Sequence, residues 1–304
     1  MNRRDVLTGM SSVGVIGSVV GSRRASAATF DPANPLDVGM AYRKLGWSAD
    51  ENLTMHWMQL TRYGMVDAKL SVMWESLIGI LYAVKDTPPS ASGAKPGDYD
   101  VNSLTLTFYF DPKTGEVMEK YNNPWTGETL DIPYGGTTPT HRRHSARGID
   151  IDMKSPPGMN ASADSYYSAW TEGDDVWVRG DLDIRMEATG SGPAEMSMGA
   201  GGTGMKAGGA VMARLMQVND WFTYQGRLSH VIDPDNKNPP ASITFNDLNT
   251  WSTWLKMGEQ PGNFIGRGFG KKVFAYDDMP DRWRKLVAER YPDVAKNPEK
   301  VIKG

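Results

Sequence analysis

The chain of 304 residues contains no cysteine. That excludes disulfides and any cysteine-ligated metal, and it leaves stability to the burial of a core. Histidine is scarce, with four in all. No His-Glu-x-x-His occurs, and no metal site is assigned. No Gly-x-Ser-x-Gly occurs either, so a serine nucleophile on a strand-to-helix elbow has no support. Gly199–Gly204 matches the dinucleotide-binding glycine pattern literally. Ala194–Met198 before it is not a buried strand, so glycine-rich flexibility is the reading there, and 190–209 is expected to form a loop or lid. No motif names a cofactor, and none is expected. Past residue 27 no run approaches a membrane-spanning length, so the mature chain is expected to be soluble and free of the membrane. Excess positive charge is also absent: the net charge is −3, and about −6 once the leader described next is removed. That sign argues against nucleic acid or anionic lipid as a partner.

The N-terminus is informative. Arg3 and Arg4 precede an uncharged, glycine- and serine-rich stretch from Val6 to Ser22, and Arg23-Arg24-Ala25-Ser26-Ala27 ends in an A-x-A type cleavage site. This order is that of an exported leader, and the paired arginines point to the twin-arginine route. We therefore expect a twin-arginine signal over 1–27, export by the twin-arginine machinery to the periplasm, and one barrel domain over 28–304. About 277 residues suffice to bury a core without staples.

Alternation dominates the rest. In 176–187, Val176, Val178, Leu182, Ile184 and Met186 share one face, opposite Arg179, Asp183, Arg185 and Glu187. That is the period of a half-buried strand. In 221–232, Phe222, Tyr224, Leu228, His230 and Ile232 are in phase. Leu53–Val84 reads as strands, with a helix over part of Ala68–Leu81 left open. Leu104–Phe110, Glu116–Tyr121 and Glu128–Tyr134 are three β-rich runs, joined by Asp111-Pro112-Lys113-Thr114-Gly115 and Asn123-Pro124-Trp125-Thr126-Gly127. Both connectors are turns by chemistry: Asx caps, proline presets φ, and glycine takes the left-handed position. Ser242–Phe245 and Phe264–Tyr276 are further strands. Helices are expected over Asp37–Leu45, from Asn246 or Asp247 through Leu255, and over Asp281–Arg290. These elements predict a mainly β fold, an antiparallel up-and-down barrel of the calycin or lipocalin-like kind with peripheral helices. Such barrels leave room for one small ligand.

Tyr109-Phe110-Asp111-Pro112-Lys113-Thr114-Gly115-Glu116-Val117 followed by Asn123-Pro124-Trp125-Thr126-Gly127-Glu128-Thr129 resembles the domain of unknown function 1838 family, often found behind a twin-arginine signal. The resemblance implies no activity and no catalytic residues.

Chemistry must come from the residues. His141, Arg142, Arg143, His144 and Arg147 form the densest cluster. Imidazole suits acid–base work, and arginine orients a phenolate, carboxylate or oxyanion. The competing reading is a solvated basic loop. His141 and His144, with Asp150 and Asp152 nearby, do not have convincing metal-ligand spacing, because residues three apart lie on opposite faces of a strand. His230 sits in phase with aromatics on its strand, and His56 in phase with Met58 and Leu60. A satisfied core histidine is the alternative for each. The candidate set is His141, His144, His230 and Tyr109 for catalysis, and Arg142, Arg143, Arg147, His56, Tyr224 and Trp57 for ligand contact. The expected function is a cofactor-independent lyase or isomerase acting on an apolar, aromatic small molecule. A non-catalytic carrier of the same shape and a structural protein are the alternatives.

Overall fold

The computed structural model describes residues 29–150, 159–188, 215–258 and 260–303. The expected leader, the loop or lid expected over 190–209, the glycine pattern at 199–204 and Asp152 lie outside them. Among the described residues no helix is long and apolar enough to cross a membrane.

The fold is a ten-stranded, nearly closed antiparallel barrel. Its chain order is β1 (Thr54–Val66), β2 (Lys69–Asp86), β3 (Tyr99–Phe110), β6 (Thr140–Ser145), β7 (Gly148–Asp150), β8 (Met159–Glu172), β9 (Asp175–Ala188), β10 (Leu215–Arg227), β11 (Ser242–Asn249) and β12 (Asn263–Val273). Strands successive in that order are neighbours in space, β7 and β8 excepted, and β12 returns to pair with β1. The seam lies between β7 and β8, where Tyr167 N donates to Arg147 O at 2.9 Å. A ring of sequential antiparallel strands is the expected up-and-down barrel.

β1 and β2 form its longest hairpin. Asp67 and Ala68 join them with φ of 51° and 61°, the left-handed pair whose twist matches the flanking strands. Both faces of β2 are apolar. Ile78, Ile80, Tyr82 and Val84 face the barrel core, while Leu77 and Leu81 face a second cluster with Trp283, Val287, Val294 and Ile302. Those residues come from α3 (Asp281–Arg290), α4 (Pro292–Lys296) and α5 (Pro298–Lys303). A strand covered on both sides carries no clean alternation, which is why a helix stayed open there. Trp283 is the centre of this layer. It is fully buried, its Nε1 donates to Leu106 O at 3.1 Å, and it rests where a Cβ on Gly79 would collide with it.

The two Asx-Pro-x-Thr-Gly connectors adopt one geometry. Gly115 N donates to Asp111 O at 2.8 Å and Gly127 N to Asn123 O at 2.9 Å, with glycine φ of 72° and 73°. Asp111 Oδ1 accepts from Lys113 N, and Asn123 Oδ1 from Trp125 N. Of the runs they join, only Leu104–Phe110 belongs to the barrel, as the end of β3. β4 (Lys120–Asn122) and β5 (Thr129–Asp131) pair as a separate sheet. Tyr121 of β4 and Ile132 just after β5 cluster at one barrel end with Trp74, Tyr109, Phe264, Leu255 and Met257, and Asn123 Nδ2 donates to Leu255 O at 2.8 Å. The meander is the floor of the barrel.

Two expectations about elements are corrected. The helix expected from Asn246 or Asp247 is absent: β11 continues to Asn249, because β10 and β12 supply a ladder on both sides, and a short 3₁₀ turn at Thr253–Leu255 follows. The strand over 221–232 stops at Arg227, and α2 (Leu228–Ile232) takes over. Asp174, in the β8–β9 turn, caps that change of direction by accepting from Ser229 N at 2.7 Å. The helix expected at Asp37–Leu45 runs from Pro35 to Gly46 as α1, with Asn34 capping Leu36 N.

α1 closes the other end. Tyr42 stacks on Tyr167 at 3.8 Å, over Gly180. The last carbonyls of α1 lack intrahelical donors, and the barrel supplies them. Lys272 Nζ donates to Lys44 O at 2.6 Å and to Pro239 O at 2.9 Å, and His56 Nε2 donates to Gly46 O at 2.5 Å.

Candidate functional site

Between the α1 cap and the aromatic floor the barrel keeps a cavity of about 130 Å³, on the order of ten times what one water needs. Glycine lets the side chains of β1 pack inward beside it. Gly266, Gly268 and Gly270 occupy the inward positions of β12, where any Cβ would strike Arg62, Leu60 or Met58. Met58, Ile78, Ile80, Phe222 and Phe245 give the wall its apolar character.

β6 decides the fate of the basic cluster. Alternation turns Arg142 and His144 inward and His141 and Arg143 outward. Arg142 and His144 line the cavity. His144 is 4% exposed, with its ring between Trp47 and Tyr99, and its Nδ1 shares a 2.6 Å hydrogen bond with the Tyr167 hydroxyl. Burial, with Arg142 and His141 adding to it, pushes His144 down to about 3. It is therefore neutral at physiological pH, a hydrogen-bonding group rather than a proton donor in the imidazolium form. His141 is exposed beside Asn102 and Asp100, Arg143 reaches Asp100 and Ser92 O, and Arg147 is an exposed turn residue. Opposite facing rules out a shared ion for His141 and His144, and no group of metal-binding side chains converges among the described residues.

The remaining candidates divide. Tyr224 is on the cavity wall. His56 faces inward and is fully buried, yet it holds the α1 cap instead of the cavity. Burial and the nearby Lys272 push it down to about 3. Trp57 is corrected: it packs under the C-terminal helices, because it alternates with His56 and Met58. Tyr109 faces the floor cluster against Trp74 and Tyr134, outside the cavity lining. His230 is corrected as well: α2 carries it to the exposed surface.

The structure adds a charged group to the wall facing β6. Asp220 on β10 lies directly opposite Asp247 on β11. Arg62 on β1 bonds Asp247 Oδ2 and lies 4.9 Å over the Phe264 ring. A Cβ at Gly266 would collide with Arg62 Nη1, so the glycine lets the guanidinium cross β12. Just beyond Arg62 a β-bulge shifts β1 against β2. Asp247 has a side chain 2% exposed, and its Oδ1 has no hydrogen-bond partner. Asp220 is pushed up to about 7, first by burial and then by Asp247, with Arg62 opposing. Two carboxylates at close quarters cannot both ionise cheaply. The signal for these residues was available. Asp220 shares a phase with Phe222 and Tyr224, Asp247 with Ile243 and Phe245, and Arg62 with Met58 and Leu60, and an ion on the apolar phase of a strand demands a reason.

A family model described as Protein of unknown function (DUF1838) matches residues 76–135 and 210–303. The matched segments contain both Asx-Pro turns, Asp220, Asp247 and the three inward glycines of β12, whereas the His141–Arg147 cluster falls between them. No curated protein matches the chain.

Proposed function

We infer the function of this chain, which belongs to the DUF1838 family, from its barrel interior: it takes up one small, largely apolar and aromatic molecule and acts on it by acid–base chemistry, as a lyase or isomerase. One observation carries this reading. Asp220 places a buried carboxyl on the wall of an aromatic-lined cavity; burial and Asp247 push it up to about 7, and proton transfer is most efficient when the catalyst titrates near the working pH. Asp220 takes a proton from the bound molecule and returns it at a second position or to a leaving group. Arg62, held in place by Asp247, stabilises negative charge developing on a neighbouring oxygen. The His144–Tyr167 pair and Arg142 hold the far side of the ligand. The exchange involves protons only, so no redox group takes part. The twin-arginine leader supports a periplasmic site of action.

A carrier is the second reading, favoured by the neutral, fully engaged His144. Titrating the mature protein with small phenols by tryptophan fluorescence, and following each binder by NMR, separates the two. Turnover that is lost in Asp220→Asn while binding persists supports the enzyme. Saturable binding with no conversion of any binder makes the barrel a carrier, and absence of any binding defeats both.

A further inference from the structure

We propose that the molecule taken by this cavity carries a cationic amine, seated between Asp220 and the free oxygen of Asp247, with its apolar part against Phe222 and Phe245. The proposal rests on the reading of the barrel interior as a small-molecule site and names the chemical class of its occupant.

Charge is the first argument. Asp220 from β10 and Arg62 from β1 line the cavity, and Asp247 from β11 lies behind them, opposite Asp220 and bonded to Arg62. With both acids ionised, two negative charges face one guanidinium, and one charge is left over. Buried charges are normally paired. The other charged groups of the lining are Arg142, which with the neutral His144 belongs to β6 on the opposite wall, and Asp181 on β9, which already pairs with Arg179. An ammonium supplies the missing charge. A carboxylate ligand would instead add a third negative charge to the pair.

Hydrogen bonding is the second argument, and it is independent of the first. Arg62 satisfies Asp247 Oδ2, but Oδ1 has no partner in a side chain 2% exposed. Buried polar atoms in native structures have partners. An ammonium offers three N–H donors, enough for Asp247 Oδ1 and Asp220 together, whereas a hydroxyl offers one. The adjacent wall suits the rest of such a molecule. Phe222 and Phe245 sit one inward position along the same strands, with ring centroids 4.5 Å apart, and aromatic faces attract a desolvated cation. Asp220 is then in reach of the ligand nitrogen, where it can exchange a proton with that nitrogen or with the carbon beside it.

The test uses the mature chain and three probes of one size: benzylamine, benzyl alcohol and benzoate, titrated by calorimetry at pH 6 and pH 8. At pH 8 benzylamine should bind at least tenfold more tightly than benzyl alcohol, and benzoate should bind weakest. An alkylamine stays protonated across this range, so the margin should narrow at pH 6 as Asp220 takes up its proton. Asp220→Asn keeps the Arg62–Asp247 pair and should shrink the margin and abolish its pH dependence. Should that variant fail to fold, the pH series on the unmodified chain decides alone. Benzyl alcohol binding as tightly as benzylamine at pH 8, or benzoate binding best, overturns the amine assignment and leaves the cavity reading standing. Failure of all three probes overturns both.

Discussion

Replacing Asp220 by asparagine should change how stability depends on pH, and the size of the change follows from the site. An aspartate in an unfolded chain titrates near 3.9, whereas burial and the facing Asp247 push Asp220 up to about 7. Between those pH values the folded protein retains a proton that the unfolded chain has released. Stability drawn from this group is therefore whole below about pH 4, falls as pH rises towards 7, and is level above. At about 1.36 kcal/mol per pH unit the interval is worth about 4 kcal/mol. This is a ceiling, because Asp247 shares the titration. Asparagine fills the same space with no charge to bury, so the variant should lack that decline. The measurement is urea unfolding by tryptophan fluorescence at half-unit steps from pH 4 to 8.5, for both proteins. Carboxylates other than Asp247 act on both curves and cancel in the difference. The unmodified protein should lose up to about 4 kcal/mol relative to the variant between pH 4 and pH 8. A flat difference curve would mean that Asp220 ionises freely in the barrel, and the acid–base proposal would fall with it.

Trp283→Ala removes the centre of the layer between α3 and β2. It should cost about 3–5 kcal/mol in denaturant unfolding and leave ligand affinity unchanged, because the residue lies outside the barrel. Arg62→Met strands Asp247 without a counter-charge in a side chain 2% exposed. A loss of about 3–5 kcal/mol is expected, and Arg62→Met with Asp247→Leu should recover most of it in a double-mutant cycle. His141→Ala and His230→Ala remove exposed rings and should shift stability by no more than about 0.5 kcal/mol with unchanged binding. His144→Ala should weaken binding by opening the wall at Tyr167.

Which parts of this were legible beforehand follows from the range of the forces involved. The Asx-Pro-x-Thr-Gly turns were readable because Asp111 and Asn123 bond within their own five residues. The strand at 176–187 was readable because its inner and outer faces meet different media. α3 was found with its boundaries for a similar reason, since Trp283 and Val287 mark one helical face. β11 and α2 were misread because their determinants are remote. Asp174 caps α2 from another hairpin, and β11 is a strand because two neighbours bond it. The expected site residues separate by position in the fold. Arg142, His144 and Tyr224 reach the cavity, while Trp57 and His230 do not, since one register step or one early helix moves a side chain from inside to outside.

The amino-acid order alone determined the class of fold. Period-two alternation over many short runs, punctuated by Asx-Pro and glycine turns, has few solutions other than a closed antiparallel sheet. It also determined which residues had to be hidden. Tertiary structure decided what shares the hollow. Strand register set Asp220 against Asp247, and closure of β12 onto β1 brought Arg62 across a glycine to meet them. The pairing of distant strands is a property of the assembled sheet, and the burial that lifts Asp220 towards neutrality exists only once the barrel has closed around it.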